Sequence, residues 1–99
     1  MQDEEKQFFE RADAHIDLSN QQISEEVESE KVNASMMYAA ARFNAWVSAR
    51  GWTNKQEMSE AKEETIDYFM TEYRRMLEAN IDDYIKNFDL YMGIAEEKT

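Results

Sequence analysis

Apolar residues recur at three- and four-residue spacing near the start of the chain, which is the period of an α-helix that packs along one face. Ala12, Ile16 and Ile23 belong to this repeat, and Glu10 lies on the opposite, acidic face. The pattern predicts a first helix over about residues 3–23.

A second segment, residues 33–51, is apolar on nearly every face of a helix. A surface helix of a small domain keeps a broad polar face, so we expect this one to be the buried central helix. It is predicted over about residues 25–50, with Ser24 as its cap. Gly51 is expected to close it in the left-handed conformation that glycine adopts without strain.

The third segment begins at Thr53 or Asn54, because Thr53-x-x-Gln56 and Asn54-x-x-Glu57 both fit a capping box. From there one apolar stripe continues in phase with no glycine or proline before Gly93. The pattern predicts a third helix over about residues 54–92, roughly 60 Å long at 1.5 Å per residue.

The predicted third helix is longer than the central helix, which is only about 37 Å long. An antiparallel third helix would therefore pass the end of its neighbour near Ala79. Leaving its last large apolar groups in water would forfeit on the order of 1.5 to 3 kcal/mol each. A second copy of the chain, related by a two-fold axis, is the simplest cover. The expected oligomer interface consists of Ile81, Tyr84, Ile85, Phe88, Tyr91 and Met92.

A break at Asn80 is the rival interpretation of this segment. Asn80 could cap a short fourth helix that folds back and shelters the same apolar groups within one chain. We favour a continuous helix because the stripe crosses Asn80 without losing phase.

Composition supports the helical assignment. The 99 residues include no proline and two glycines, which favours helix throughout. We predict an all-α single domain over residues 1–99, a three-helix antiparallel arrangement whose long third helix extends into a dimer interface. Cysteine is absent, which excludes disulfides and cysteine-ligated metals. No segment resembles a secretion signal or a membrane span, so a cytoplasmic location is expected.

Charge is distributed unevenly along the chain. The formal net charge is −11, yet residues 31–56 hold four basic residues and no carboxylate. An acidic surface repels nucleic acid and anionic membrane, so neither is expected as a partner. The expected partners are a second copy, as a homodimer or higher homo-oligomer, or a basic protein.

Arg42 and Asn44 are polar positions within the most apolar helix. A guanidinium that is buried without a carboxylate partner costs several kcal/mol. We therefore expect Arg42 to pair with Glu10, Glu63 or Glu64 and to fix the register of the bundle.

Candidate chemistry is sparse. His15 is the only histidine, and no carboxylate lies three or four positions from it. The Glu-x-x-His motif of di-metal bundles is absent. Acidic residues that share a helix face, such as Glu57, Glu60 and Glu64, could hold hydrated Mg²⁺ or Ca²⁺ weakly, but a solvated acidic face is the better interpretation. We assign no catalytic, cofactor or metal residue.

Several runs of sequence resemble a small proteobacterial family that is known only as a domain of unknown function. They are Phe8 to Asp13, Asp17 to Gln21 and Ala34 to Ala45, with further similarity at Tyr68-Phe69 and Tyr84 to Phe88. The resemblance implies a stand-alone bacterial protein and carries no activity over to any residue.

The leading hypothesis is a self-associating helical module for protein interaction, and an enzyme is not expected. The alternative is a helical bundle that binds a small molecule or a divalent cation.

Overall fold

The computed structural model describes residues 2–94, and all regular structure in that range is α-helical. The all-α class is therefore confirmed. The helices are α1 (Gln2–Gln22), α2 (Ser29–Ala49), α3 (Lys55–Glu60), α4 (Lys62–Lys86) and α5 (Phe88–Tyr91). None of these helices combines the length and the apolar character that crossing a membrane requires.

Helices α1 and α2 contact each other within residues 2–51. The turn between them is organised by Ser24, whose hydroxyl accepts the backbone N–H groups of Glu26 (3.2 Å) and Val27 (3.1 Å). Helix α2 begins only at Ser29. Ser24 thus stabilises the turn rather than capping α2, and the helix starts later than predicted because these side-chain bonds hold the chain in a turn.

Val32 on α2 is the only buried residue among residues 3–94. The side chains of Tyr38, Phe43 and Trp46 are more than half exposed. The expectation that α2 is a buried central helix is thus not confirmed, and it stays a prediction. Within residues 2–51, α1 covers only part of a helix that is apolar on nearly every face.

Helix α2 ends without a left-handed residue. The N–H of Arg50 donates to the carbonyl of Trp46 at 3.2 Å, and that of Gly51 donates to Ser48 at 3.0 Å. This tightened last turn satisfies carbonyls that would otherwise lack a partner. The prediction for Gly51 is wrong, since Gly93 is the only described residue with a positive φ, at 71°.

Within residues 52–94, three helices follow one another where the sequence predicts one. At Ala61 the backbone has φ −91° and ψ 2°, which departs from α-helical geometry between α3 and α4. Helix α4 then continues without interruption through Asn80, as expected. Asn87, with φ −114° and ψ 27°, separates α4 from α5.

Side-chain bonding explains the interruption at Asn87. Its amide nitrogen donates both to the carbonyl of Asp83 (3.1 Å) and to the Asp83 carboxylate (2.9 Å). Asn80 makes only the backbone bond, to Met76 at 2.8 Å, and its helix continues. The second bond therefore distinguishes Asn87, where a local side-chain network competes with regular helix.

Candidate interaction surface

Helices α4 and α5 carry an apolar stripe at helical spacing, and its members are 41–60% exposed. We call it the α4–α5 stripe, and it consists of Ile66, Met70, Tyr73, Leu77, Ile81, Tyr84, Phe88 and Tyr91. An exposed apolar stripe of this length is typical of a helix that packs against another surface.

The six predicted interface residues lie at or beside the C-terminal end of this stripe. Ile81, Tyr84 and Ile85 belong to α4, Phe88 and Tyr91 belong to α5, and Met92 follows α5. Each is exposed, from 45% for Tyr91 to 69% for Ile85. The structure thus brings them together along one exposed segment, and their role as an interface stays a prediction.

A hydrogen-bonded cluster fixes α5 relative to the end of α4. The Tyr91 hydroxyl donates to the Asp83 carboxylate at 3.0 Å, and the Tyr91 ring meets the Tyr84 ring edge-on with centroids 4.8 Å apart. The hydrogen bond to Asp83 raises the pKa of the Tyr91 phenol, because it stabilises the protonated form beside a carboxylate. The cluster therefore holds Tyr91 across the interruption at Asn87.

Gly93 closes this end in a Schellman motif. The N–H of Ile94 donates to the carbonyl of Asp89 (2.9 Å), and that of Gly93 donates to Leu90 (3.4 Å). This pattern needs a left-handed residue after the helix, and glycine has no Cβ to oppose it. Gly93 therefore ends the helical path at a defined position.

Helix α2 presents a second exposed surface, rich in aromatic and basic side chains. The Phe43 and Trp46 rings are tilted with centroids 5.5 Å apart, and the Arg50 guanidinium lies 5.1 Å from the Trp46 ring centroid. The latter distance is within the range of a cation–π contact. These contacts orient Trp46 but leave it 54% exposed.

The residues that were expected to fix the register of the bundle are distributed over α1, α2 and α4. Arg42 and Glu10 are exposed, and no ion pair joins them in the described part of the chain. Asn44 is half-buried on α2. Glu63 and Glu64 lie in the first turn of α4, and pairing of Arg42 with either one stays a prediction.

Of the two predicted starts of the third helix, the structure has the one capped by Asn54. The Asn54 side chain accepts the backbone N–H of Glu57 at 2.9 Å. The Glu57 carboxylate reaches back to Thr53, accepting its backbone N–H (2.9 Å) and its hydroxyl (2.7 Å). These bonds lower the pKa of the Glu57 carboxyl group, because they favour its charged form. Glu57 and Thr53 thus complete a reciprocal cap.

Ionisable side chains elsewhere form few organised groups. Arg74 pairs with Glu78 at 3.3 Å and Arg75 pairs with Glu72, in each case along α4. His15 is exposed on α1. Across residues 3–94, no three acidic or imidazole side chains are grouped in a way that could hold a metal ion.

The cluster of Asp83, Asn87 and Tyr91 is the feature that the sequence interpretation missed. These residues recur every four positions, so they lie on one helix face. That spacing of an acceptor, an amide and a phenol was the available signal.

A family model decides the affiliation of the chain. The family described as "Protein of unknown function (DUF3144)" matches residues 8–85. The chain belongs to the DUF3144 family. The proteobacterial resemblance of the sequence is thereby confirmed, and the DUF3144 match covers α2 and α3 entirely and most of α1 and α4.

A solved structure that is similar to this chain supports the helical fold. An NMR structure of the protein NB7890A from Shewanella sp. is 42% identical, covering 90% of this chain and 94% of that chain with a TM-score of 0.77. No curated protein matches the chain. The family match and the structural similarity together describe this chain as a small helical member of a family of unknown function.

Proposed function

We propose that this chain is a non-catalytic, self-associating module for protein interaction. In this proposal it forms one helical domain of antiparallel arrangement, with the first helix, the central α2 and the long α3–α5 region side by side. The α3–α5 region extends into a two-fold dimer interface. That interface consists of Ile81, Tyr84, Ile85, Phe88, Tyr91 and Met92.

The observation that carries the proposal is the exposed α4–α5 stripe. About half of each of its eight large side chains is open to solvent, and a fully covered aromatic side chain buries roughly 150–250 Å². The stripe therefore offers about 800 Å² per copy, which is what one partner of a standard protein interface buries.

The composition of the stripe also suits an interface. Tyrosine and phenylalanine are enriched at interface centres, where the ring is covered and a phenol can remain in contact with water. Tyr84 and Tyr91 are already oriented by their edge-on contact and by Asp83. A side chain that is ordered before binding loses less conformational entropy on association.

The acidic faces have a second use in this proposal. A net charge of −11 keeps the associated protein soluble and attracts basic protein partners.

Light scattering during size-exclusion chromatography tests the self-association. We expect a mass of twice 11.8 kDa for the wild-type protein at micromolar concentration. Phe88→Asp should raise the dissociation constant by roughly 100-fold, because a charge would be buried at the centre of the interface.

Leu90→Asp is the matched control, since Leu90 lies in the same helix on the opposite side from the stripe and is 76% exposed. It should leave the mass of the protein unchanged. A monomer mass for the wild-type protein at concentrations up to about 100 µM would refute the proposal, because it would mean that any dissociation constant is weaker than that value. So would an equal effect of both substitutions.

A further inference from the structure

Helix α2 has a cationic face at helical spacing. This face consists of Lys31, Tyr38, Arg42, Ala45 and Ala49. They are separated by seven, four, three and four residues, and therefore lie on one side of the helix. Tyr38 is 68% exposed, and Arg42 is also exposed. The face thus presents an aromatic ring and small residues beside two positive charges.

The α4–α5 stripe has an acidic edge along one side. Glu63, Asp67, Glu78 and Asp82 are separated by four, eleven and four residues, which places them on the same side of α4. Glu78 is paired with Arg74, while no ion pair in the described part of the chain includes the other three. A net negative edge therefore accompanies the apolar stripe.

Pairing two α4–α5 stripes with each other is electrostatically unfavourable. A two-fold axis across the helices makes the pair antiparallel, which brings both acidic edges to the same side of the contact. Like charges that face each other at an interface are destabilising. The cationic face of α2 has the opposite charge and carries no carboxylate after Glu30.

We infer that the side-by-side packing of α2 and the α3–α5 region forms between two copies: the α4–α5 stripe of one copy docks on the cationic face of α2 in a second copy, and reciprocally. This inference rests on the proposed self-association. Arg42 then meets the acidic edge of the second copy near Asp67. Small Ala45 and Ala49 allow the two helix backbones to approach closely. The second copy thus completes the surroundings of an α2 helix that is largely exposed in the single chain.

The absence of cysteine makes this pairing directly testable. Ala45→Cys and Ile66→Cys are made in separate chains, one carrying a mass tag, and the chains are mixed, unfolded and refolded together. A short bismaleimide should then link one copy of each variant several-fold more than it links Ala45→Cys to Tyr68→Cys. Tyr68 is two residues from Ile66 on the opposite side of α4 and is 62% exposed.

Other outcomes overturn the inference in recognisable ways. Linkage of Ile66→Cys only to itself would mean stripe-on-stripe pairing, with self-association intact. Linkage within a single chain that carries both cysteines, without mixed dimers, would mean that α2 is covered by its own chain. A monomer mass of the unlinked wild-type protein would instead refute the proposed function itself.

Charge reversal gives a second, independent measurement. Arg42→Glu and Asp67→Lys should each raise the dissociation constant roughly tenfold, and an equimolar mixture should restore it to within about threefold. Arg11→Glu makes the same change of charge on α1 and should have little effect. Failure of the mixture to recover, with wild-type helix content by circular dichroism, would count against the α2 contact.

Discussion

The two halves of the chain hold their helices in different ways. Residues 52–94 are rich in local polar bonds, including the cap around Asn54, the ion pairs of α4 and the Asp83 cluster. Helix α2 has few such bonds and exposes apolar side chains on most of its surface. An amphipathic helix can be stabilised locally, whereas a helix that is apolar all round depends on what covers it.

The largest effect is expected at Phe43 on α2, and it tests whether α2 depends on a covering surface. Phe43→Ala should lower the free energy of unfolding by about 3–5 kcal/mol if α2 is covered in the associated protein. An uncovered side chain that is 61% exposed would contribute only about 0.5 kcal/mol. Urea unfolding at a concentration where the protein is dimeric measures the difference.

Tyr68→Ala is the control for Phe43→Ala, because Tyr68 is similarly exposed but lies on the side of α4 opposite the α4–α5 stripe. Its cost should stay near 0.5 kcal/mol. Equal losses for the two substitutions would mean that α2 is no more dependent on a covering surface than α4.

A smaller effect is expected at the cap of α3. Asn54→Ala removes the side chain that accepts the Glu57 N–H and should cost about 1 kcal/mol. The melting temperatures of Asn54→Ala and of Asn33→Ala, measured by thermal unfolding, give the comparison. Asn33 donates only to the Met37 sulfur at 3.9 Å, so its replacement should cost little. A larger loss at Asn33 would contradict the view that local polar bonds stabilise the second half.

The smallest effect concerns pH. The pKa of the Glu57 carboxyl group is lowered by its bonds to Thr53. The contribution of this carboxylate to the free energy of unfolding is therefore fully present above its unfolded pKa of about 4.3, and it is lost as pH falls through the folded pKa. Glu57→Gln should therefore melt below the wild-type protein at neutral pH, and the gap should close in acid. Melting curves between about pH 3 and pH 7 measure this. A gap that widened in acid would refute the cap.

Local signals predicted the structure where they were strong. The helical class followed from composition and periodicity, and the cap at Asn54 followed from a motif with a known geometry. Continuity through Asn80 followed from the phase of the stripe. Each depends on residues that are close in sequence, and local physics decides such features.

Other features depended on competition between local bonds, or on long-range packing. Gly51 and Gly93 both follow helices, yet only Gly93 is left-handed, because α2 closes through Arg50 and Gly51 with backbone bonds instead. The interruption at Asn87 needed its bond to Asp83 to be recognised. Whether α2 is covered was not predictable from the sequence, because periodicity identifies an apolar face without identifying what covers it.

The placement of the two tryptophans has an experimental consequence. Trp46 lies on α2, and Trp52 lies just after it. The native indole fluorescence of the protein therefore originates entirely at the C-terminal end of α2. Any event that removes water from this region changes the emission without a dye or a label, because residues 53–99 contain no tryptophan.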